Sequence, residues 1–194
     1  MPVRCLVVDD HPAIREGLSA LLATQPDLEV VDAVASAEAA AGVAESIGVH
    51  VAIVDYQLGG RSGLWLTRTL KRRPHAPAVL VYSAFSDHLL AAACVVAGAD
   101  GLVSKAAPAA ELYERIRRIA RGVRRLPLMP PALADTLRRR FDPREQAVFG
   151  LLLAGIPEAE IAETVGLAVD ELDSLRWTMQ RKLERLDPPA DHEP

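Results

Sequence analysis

In His50-Val51-Ala52-Ile53-Val54-Asp55, four consecutive apolar residues, three of them β-branched, run straight into a carboxylate. A short run that is apolar on both faces belongs inside a parallel sheet covered by helices. The same ending recurs along the chain. Cys5-Leu6-Val7-Val8 runs into Asp9-Asp10, Ala78-Val79-Leu80-Val81-Tyr82 into Ser83, and Gly101-Leu102-Val103-Ser104 into Lys105. Laid side by side in parallel, these strands bring their carboxyl ends to one edge, where open α/β sheets bind ligands. Three carboxylates, a hydroxyl and an ammonium at that edge suit a divalent cation and a phosphoryl group.

Working outward, residues 1–121 alternate strand and helix, with strand-like runs at 3–8, 28–34, 50–54, 78–82 and 101–104. Pro12 suits the opening turn of the first helix, and Ile14, Leu18, Leu21 and Leu22 fall on one of its faces. The pattern predicts an α/β domain with a five-stranded, parallel, doubly wound sheet. Gly122, Pro127, Pro130 and Pro131 then predict a linker over 122–141, which carries Arg138-Arg139-Arg140. From 142 to 187 the pattern is all-helical. Asp142-Pro143 opens one helix, Gly155 and Pro157 break it, a second spans about Glu158 to Val165 and stops at Gly166, and a third begins near Val169. Residues 188–194 read as a disordered tail.

The chain has 194 residues, half of them hydrophobic, and a net charge of −4, which fits a soluble globular protein. Its longest apolar stretch, Leu89 to Ala99, is too short for a bilayer, so no membrane partner is expected. Met1-Pro2-Val3-Arg4 leads directly into a strand rather than a signal peptide, and Cys5 and Cys94 both sit in apolar segments as buried thiols. The cytoplasm is the expected compartment. Zinc spacings, phosphate-binding loops and nucleophile elbows are absent from the sequence.

Val7-Val8-Asp9-Asp10-His11-Pro12, Asp55, Ser83-Ala84, Gly98-Ala99-Asp100-Gly101 and Lys105 stand in the order and spacing of a receiver domain. Pro143-Arg144-Glu145, Leu151 to Gly155, Glu160-Ile161-Ala162 and Val165-Gly166-Leu167 resemble a LuxR-type helix-turn-helix. Together they resemble a two-component response regulator of the NarL/FixJ type. The resemblance implies a flavodoxin-like receiver over 1–121 and a small all-α helix-turn-helix domain over 142–187. It implies that a sensor histidine kinase phosphorylates Asp55. Asp10, Asp55 and the backbone carbonyl of Gln57 would ligate Mg²⁺, with Asp9 supporting the ion. Ser83 would hydrogen-bond the phosphoryl group and Lys105 would pair with the acceptor. DNA is the implied partner of the third C-terminal helix, with Arg176, Arg181 and Lys182 as its basic candidates.

Four departures from the family pattern stand out. Leu102 replaces the usual aromatic switch residue three positions before the lysine. Phe85 stands where it would shield an acyl phosphate from water. The fourth helix, Leu89-Ala97, bears no charge on any face, and is therefore expected to be covered, by another receiver in a homodimer or by the C-terminal domain. Finally, residues 142–187 hold five basic and ten acidic residues, net −5, and Asp170, Glu171 and Asp173 occupy the reading positions of the third helix. An acidic reading face repels phosphates. The output therefore reads in two ways, as a DNA-binding transcriptional regulator or as a helical module that binds protein. An enzymatic reading, as a haloacid-dehalogenase-type phosphatase, needs Asp-x-Asp, whereas Asp9-Asp10 are adjacent.

Overall fold

A computed structural model describes residues 1–84, 88–124, 126 and 129–185. It contains two compact units, one drawn from 1–86 and 98–126 and the other from 87–97 and 127–194.

The first unit is built on β1 (Val3–Val8), α1 (Pro12–Ala23), β2 (Leu28–Val34), α2 (Ala37–Ser46), β3 (Val51–Asp55), α3 (Gly63–Lys71) and β4 (Ala78–Ser83). After α4 (His88–Ala97), which groups with the second unit, it continues through β5 (Gly101–Ser104) and α5 (Ala109–Ala120). The five strands are all parallel in the order β2-β1-β3-β4-β5. Chain direction across the sheet reverses between β1 and β3, the switch point that opens a crevice beyond the strand ends.

Strand alternation explains the two apolar layers. Cys5, Val7, Val51, Ile53, Leu80 and Val103 face Leu18 and Leu22 of α1 and Leu112, Ile116 and Ile119 of α5. Leu6, Val8, Ala52, Val54 and Val79 face Ala37 and Ala40 of α2 and Leu66 and Leu70 of α3. Because both faces are buried, the strands read as continuous apolar runs. Helix starts follow local chemistry. Ser36 Oγ accepts from Ala39 N at the head of α2, and Ser62 Oγ from Trp65 N at the head of α3. On α1, Leu18 and Leu22 are buried as expected, whereas Ile14 is exposed.

The second unit contains α4, α6 (Pro131–Arg138), α7 (Pro143–Leu153), α8 (Glu158–Val165) and α9 (Val169–Glu184). Part of the expected linker, residues 131–138, is thus helical. Pro131 takes the first helical position of α6, where its missing N–H costs nothing, so the proline pair starts a helix rather than preventing one. Asp142 and Glu145 form a reciprocal capping box on α7, and Gly166 ends α8 at φ 65°, a conformation that disfavours side chains with a Cβ. Its core gathers Leu137, Phe141, Val148, Phe149, Ile161, Leu172, Met179 and Leu183. Phe141 and Phe149 meet edge to face, with ring centroids 5.1 Å apart.

The charge-free α4 packs against α9 and α7. Leu90, Ala91, Ala92, Ala93, Cys94, Val96 and Ala97 are all buried. Of the two covers expected for Leu89-Ala97, the C-terminal helices α7 and α9 of the same chain supply one. No helix among the described residues is long and apolar enough to cross a membrane.

Candidate functional site

Asp55 closes β3, Asp9 and Asp10 follow β1, Ser83 closes β4, and Lys105 follows β5. The register pairs Asp55 with Tyr82 and Ser83 with Ser104, so all of these residues lie at the carboxyl edge of the sheet. Lys105 Nζ donates to Asp9 Oδ2 at 2.6 Å and to Asp55 Oδ2 at 2.8 Å. One ammonium thereby ties together the ends of β1 and β3 from its position after β5. Asp9, Asp55 and Ser83 are almost completely buried. The backbone holds the remaining geometry. His11 N donates to Asp9 Oδ1 at 2.9 Å, Gly59 N to Asp10 Oδ2 at 3.0 Å, and Lys105 N to the Ser83 carbonyl at 2.7 Å.

Two oxygens are held weakly. Among the described residues, Asp55 Oδ1 receives Gln57 N at 3.4 Å, which is long for a hydrogen bond. Asp10 Oδ1 lies 2.8 Å from His11 Nδ1, yet it is buried and receives no hydrogen bond of acceptable geometry. A buried carboxylate oxygen without a donor is costly unless a cation balances it. Asp9, Asp10, His11 and Asp55 each offer a ligand atom, and these atoms lie within 4.8 Å of one another. Hard oxygens dominate the set, so it fits a hard divalent cation.

Burial raises the pKa of the Asp55 carboxyl above its ordinary value, and the neighbouring Asp9 charge adds to the rise, while Lys105 opposes both. For Lys105 burial acts the other way, but its hydrogen bonds to Asp55 and Asp9 outweigh it and the net shift is upward. The ammonium therefore stays charged and opposes the rise at Asp55.

Sequence reasoning brought forward Asp9, Asp10, Asp55, Ser83 and Lys105, and the structure sets all five at one edge. It missed the backbone donor Gly59, Arg15, whose guanidinium donates to the Asp9 carbonyl at 2.8 Å, and Gly63. A Cβ at Gly63 would stand 2.0 Å from the Asp55 carbonyl oxygen, so α3 starts in near contact with the acceptor strand. Only the Gly59-Gly60 pair after β3 hinted at such close approach. Leu102 is buried on β5, and Phe85 lies outside the described residues.

In the second unit, α8, a turn at Gly166 to Ala168, and α9 form a helix-turn-helix. Two of its three basic candidates are occupied. Arg176 is 3 % exposed, donating from Nε to the Val96 carbonyl at 2.8 Å and pairing through Nη1 with Glu158. Lys182 Nζ reaches the buried Glu145 Oε2 at 2.5 Å. Both cations thus pair within the helical unit, Arg176 buried and Lys182 with 37 % of its side chain exposed. Arg181 is exposed.

Residues 5–117 match the model of the response regulator receiver domain. The transcriptional regulatory protein UhpA of Salmonella typhimurium is 32 % identical over 180 residues, covering 91 % of this chain and 89 % of that protein. The nitrate/nitrite response regulator protein NarL of Escherichia coli is 26 % identical over 177 residues, covering 86 % and 82 %. Among solved structures, a LuxR-family two-component response regulator from an Aurantimonas species superposes with TM-score 0.62 at 30 % identity, covering 70 % of this chain and 94 % of that one. An RcsB–DNA complex gives 0.62 at 21 % identity, covering 94 % and 92 %, a likeness of fold alone.

Proposed function

The chain belongs to the response regulator receiver family, and from that premise we propose that Asp55 accepts a phosphoryl group from a sensor histidine kinase and that the helix-turn-helix unit carries the signal to DNA. The observation that carries the first half is Lys105 bridging Asp9 and Asp55 across the strand ends. Asp55 Oδ1, the less firmly held oxygen, attacks phosphorus on the phosphorylated imidazole of the donor. An O–P bond forms, the N–P bond breaks, and the leaving imidazole nitrogen takes up a proton. Lys105 Nζ remains on the acceptor and offsets the negative charge that the transferring group spreads over its oxygens. Ser83, at the end of β4, supplies a hydroxyl for one of those oxygens.

Asp9, Asp10, Asp55 and the Gln57 carbonyl would hold Mg²⁺, and the orphaned Asp10 Oδ1 supports that assignment. A bound divalent ion would supply positive charge that offsets the clustered carboxylates and the charge developing on the phosphoryl group. This chain's residues position the nucleophile: the two apolar layers fix β3, the Gly63 approach fixes the Asp55 carbonyl, and burial keeps water from the acid.

The transcriptional half is supported by UhpA, named a transcriptional regulatory protein and similar over most of both chains, and by the helix-turn-helix itself. Incubation with Mg²⁺ and acetyl phosphate, followed by intact mass, tests the first half. The wild type gains the mass of one phosphoryl group and Asp55→Ala gains nothing. A gain that persists in Asp55→Ala, or one missing from the wild type, refutes the assignment. Polarisation of a labelled duplex at low salt, with and without acetyl phosphate, tests the second half. Absence of salt-sensitive binding in both states would leave protein binding as the output.

A further inference from the structure

We propose that the corner between α6 and α7, Arg138-Arg139-Arg140 together with Arg144, grips the phosphodiester backbone of duplex DNA alongside α9. The proposal rests on the DNA-binding half of the reading above and assigns a place to the phosphate contacts that α9 itself does not provide.

The corner is a fixed display of cations. Leu137 and Phe141 are buried on either side of it, and Phe141 is locked against Phe149. Between them the backbone turns tightly, with Arg140 N donating to the Leu137 carbonyl at 2.9 Å and Phe141 N to the Arg138 carbonyl at 3.0 Å. With both flanking side chains drawn inward, Arg138, Arg139 and Arg140 are left exposed. Arg144, the second residue of α7, is exposed as well.

Of the acids near this corner, Asp142 caps α7 and Glu145 is buried, while the exposed Asp135, Asp170 and Glu171 also stand close to its arginines. Asp142 Oδ1 accepts from Arg144 N and Glu145 N, both at 2.9 Å, as the cap of α7. Glu145 is 1 % exposed and accepts from Asp142 N and Lys182. Among the described residues, Arg138 pairs at the surface with Asp135 at 3.7 Å, a contact of the kind that contributes little. Among the described residues, the Arg139 guanidinium hydrogen-bonds the Thr136 hydroxyl at 3.5 Å and has no acidic partner. Among the described residues, the side chains of Arg140 and Arg144 have no acidic partner. Arg144 also lines one shallow groove with Asp170, Glu171, Ser174 and Thr178 of α9. A backbone held at Arg144 therefore runs beside the helix that would enter the major groove. Arginine forks match phosphate oxygens and are hard to strip of charge, whereas the acidic start of α9 repels phosphate.

Counterion release makes the idea measurable without knowing the target sequence. Each phosphate contact contributes about 0.9 to the slope of log affinity against log salt. The full chain is compared with Arg138→Ala/Arg139→Ala/Arg140→Ala and with the corresponding triple lysine variant, on a labelled random-sequence duplex. The alanine protein should lose about 3 from the slope, so its affinity falls by ~40-fold less than the wild type's between about 50 and 200 mM salt. The lysine protein should retain most of the wild-type slope, because lysine still neutralises phosphate. Wild-type binding with an unchanged alanine slope would overturn this proposal alone, as would weakening that lysine fails to restore. A wild type that does not bind the duplex would overturn both it and the DNA-binding reading.

Discussion

Gly63→Ala tests whether the first turn of α3 sets the position of the acceptor. The added methyl would lie 2.0 Å from the Asp55 carbonyl oxygen, 2.9 Å from its carbon and 3.1 Å from Tyr56 Cα. All of these are backbone atoms, so no side chain can swing aside. An ordinary contact requires an opening of about 1 Å or more, well beyond the few tenths that packed interiors concede. That opening stretches the bond from Gly63 N to the Tyr56 carbonyl, now 2.9 Å, past hydrogen-bonding range. Losing it costs about 1 kcal/mol, and overpacking adds roughly 1–3 kcal/mol. The sum, about 2–4 kcal/mol, corresponds to a fall in Tm of roughly 4–16 °C for a chain of this size. The same movement shifts Asp55 against Lys105, and a displacement of about 1 Å at a reacting group slows chemistry by up to ~100-fold. Thermal melting followed by circular dichroism reads the first effect, and the rate of mass gain with acetyl phosphate reads the second. A variant that melts within a degree of wild type and is phosphorylated at the wild-type rate would refute the close-packed arrangement.

Two further perturbations probe the cores. Lys182→Met leaves Glu145 buried without its cation and should destabilise the second unit by about 3–5 kcal/mol, whereas Lys182→Met/Glu145→Gln should recover a large part of that loss; equal melting of the two variants would contradict the pairing. The buried thiols bear on alkaline stability. Burial, with the Asp27 charge adding to it, pushes Cys5 from 9.0 up to about 12, and burial also pushes Cys94 up. Because the folded values are raised, this contribution is fully present below pH 9.0 and is lost as pH rises through about 12 for Cys5. Native protein near neutral pH should therefore resist a thiol reagent until it unfolds, and rapid labelling of two thiols without loss of helicity would contradict the burial.

The sheet was legible because a strand buried on both faces must be apolar throughout, and each such run ended on a group able to bind a cation or a phosphate. The cover over α4 was legible for a related reason: Leu89 to Ala97 offers water nothing charged. Gly63 was not legible, since close approach by a distant backbone leaves no mark on its own neighbours. Nor was the fate of Arg176. A lone arginine on an amphipathic helix looks solvated until the Val96 carbonyl and Glu158 are brought beside it. In α6, the Pro130-Pro131 pair carried a start signal and a stop signal at once, and only the packing of Leu137 decides between them.

That ambiguity at α6 also distorts the electrostatics. Counted from 142 to 187, the helical region carries five basic and ten acidic residues, net −5. Its compact unit, however, includes α6 and the corner after it. From 129 to 185 the count is eight basic against ten acidic residues, net −2. Much of the remaining acid has local duties: Asp142 caps α7, Glu145 is sealed beside Lys182, Glu158 holds Arg176, and Glu171 Oε2 accepts from Ala168 N at 2.8 Å at the head of α9. A phosphate near the surface responds to charges within about a Debye length, ~8–10 Å, and not to a total over the sequence. At the α6–α7 corner four exposed arginines outnumber the exposed Asp135 and Asp142. At the start of α9 the outward charges are Asp170 and its neighbours. An acidic helix and a DNA-binding domain are therefore compatible, provided that affinity comes from the corner and α9 reads bases from a backbone already held in place.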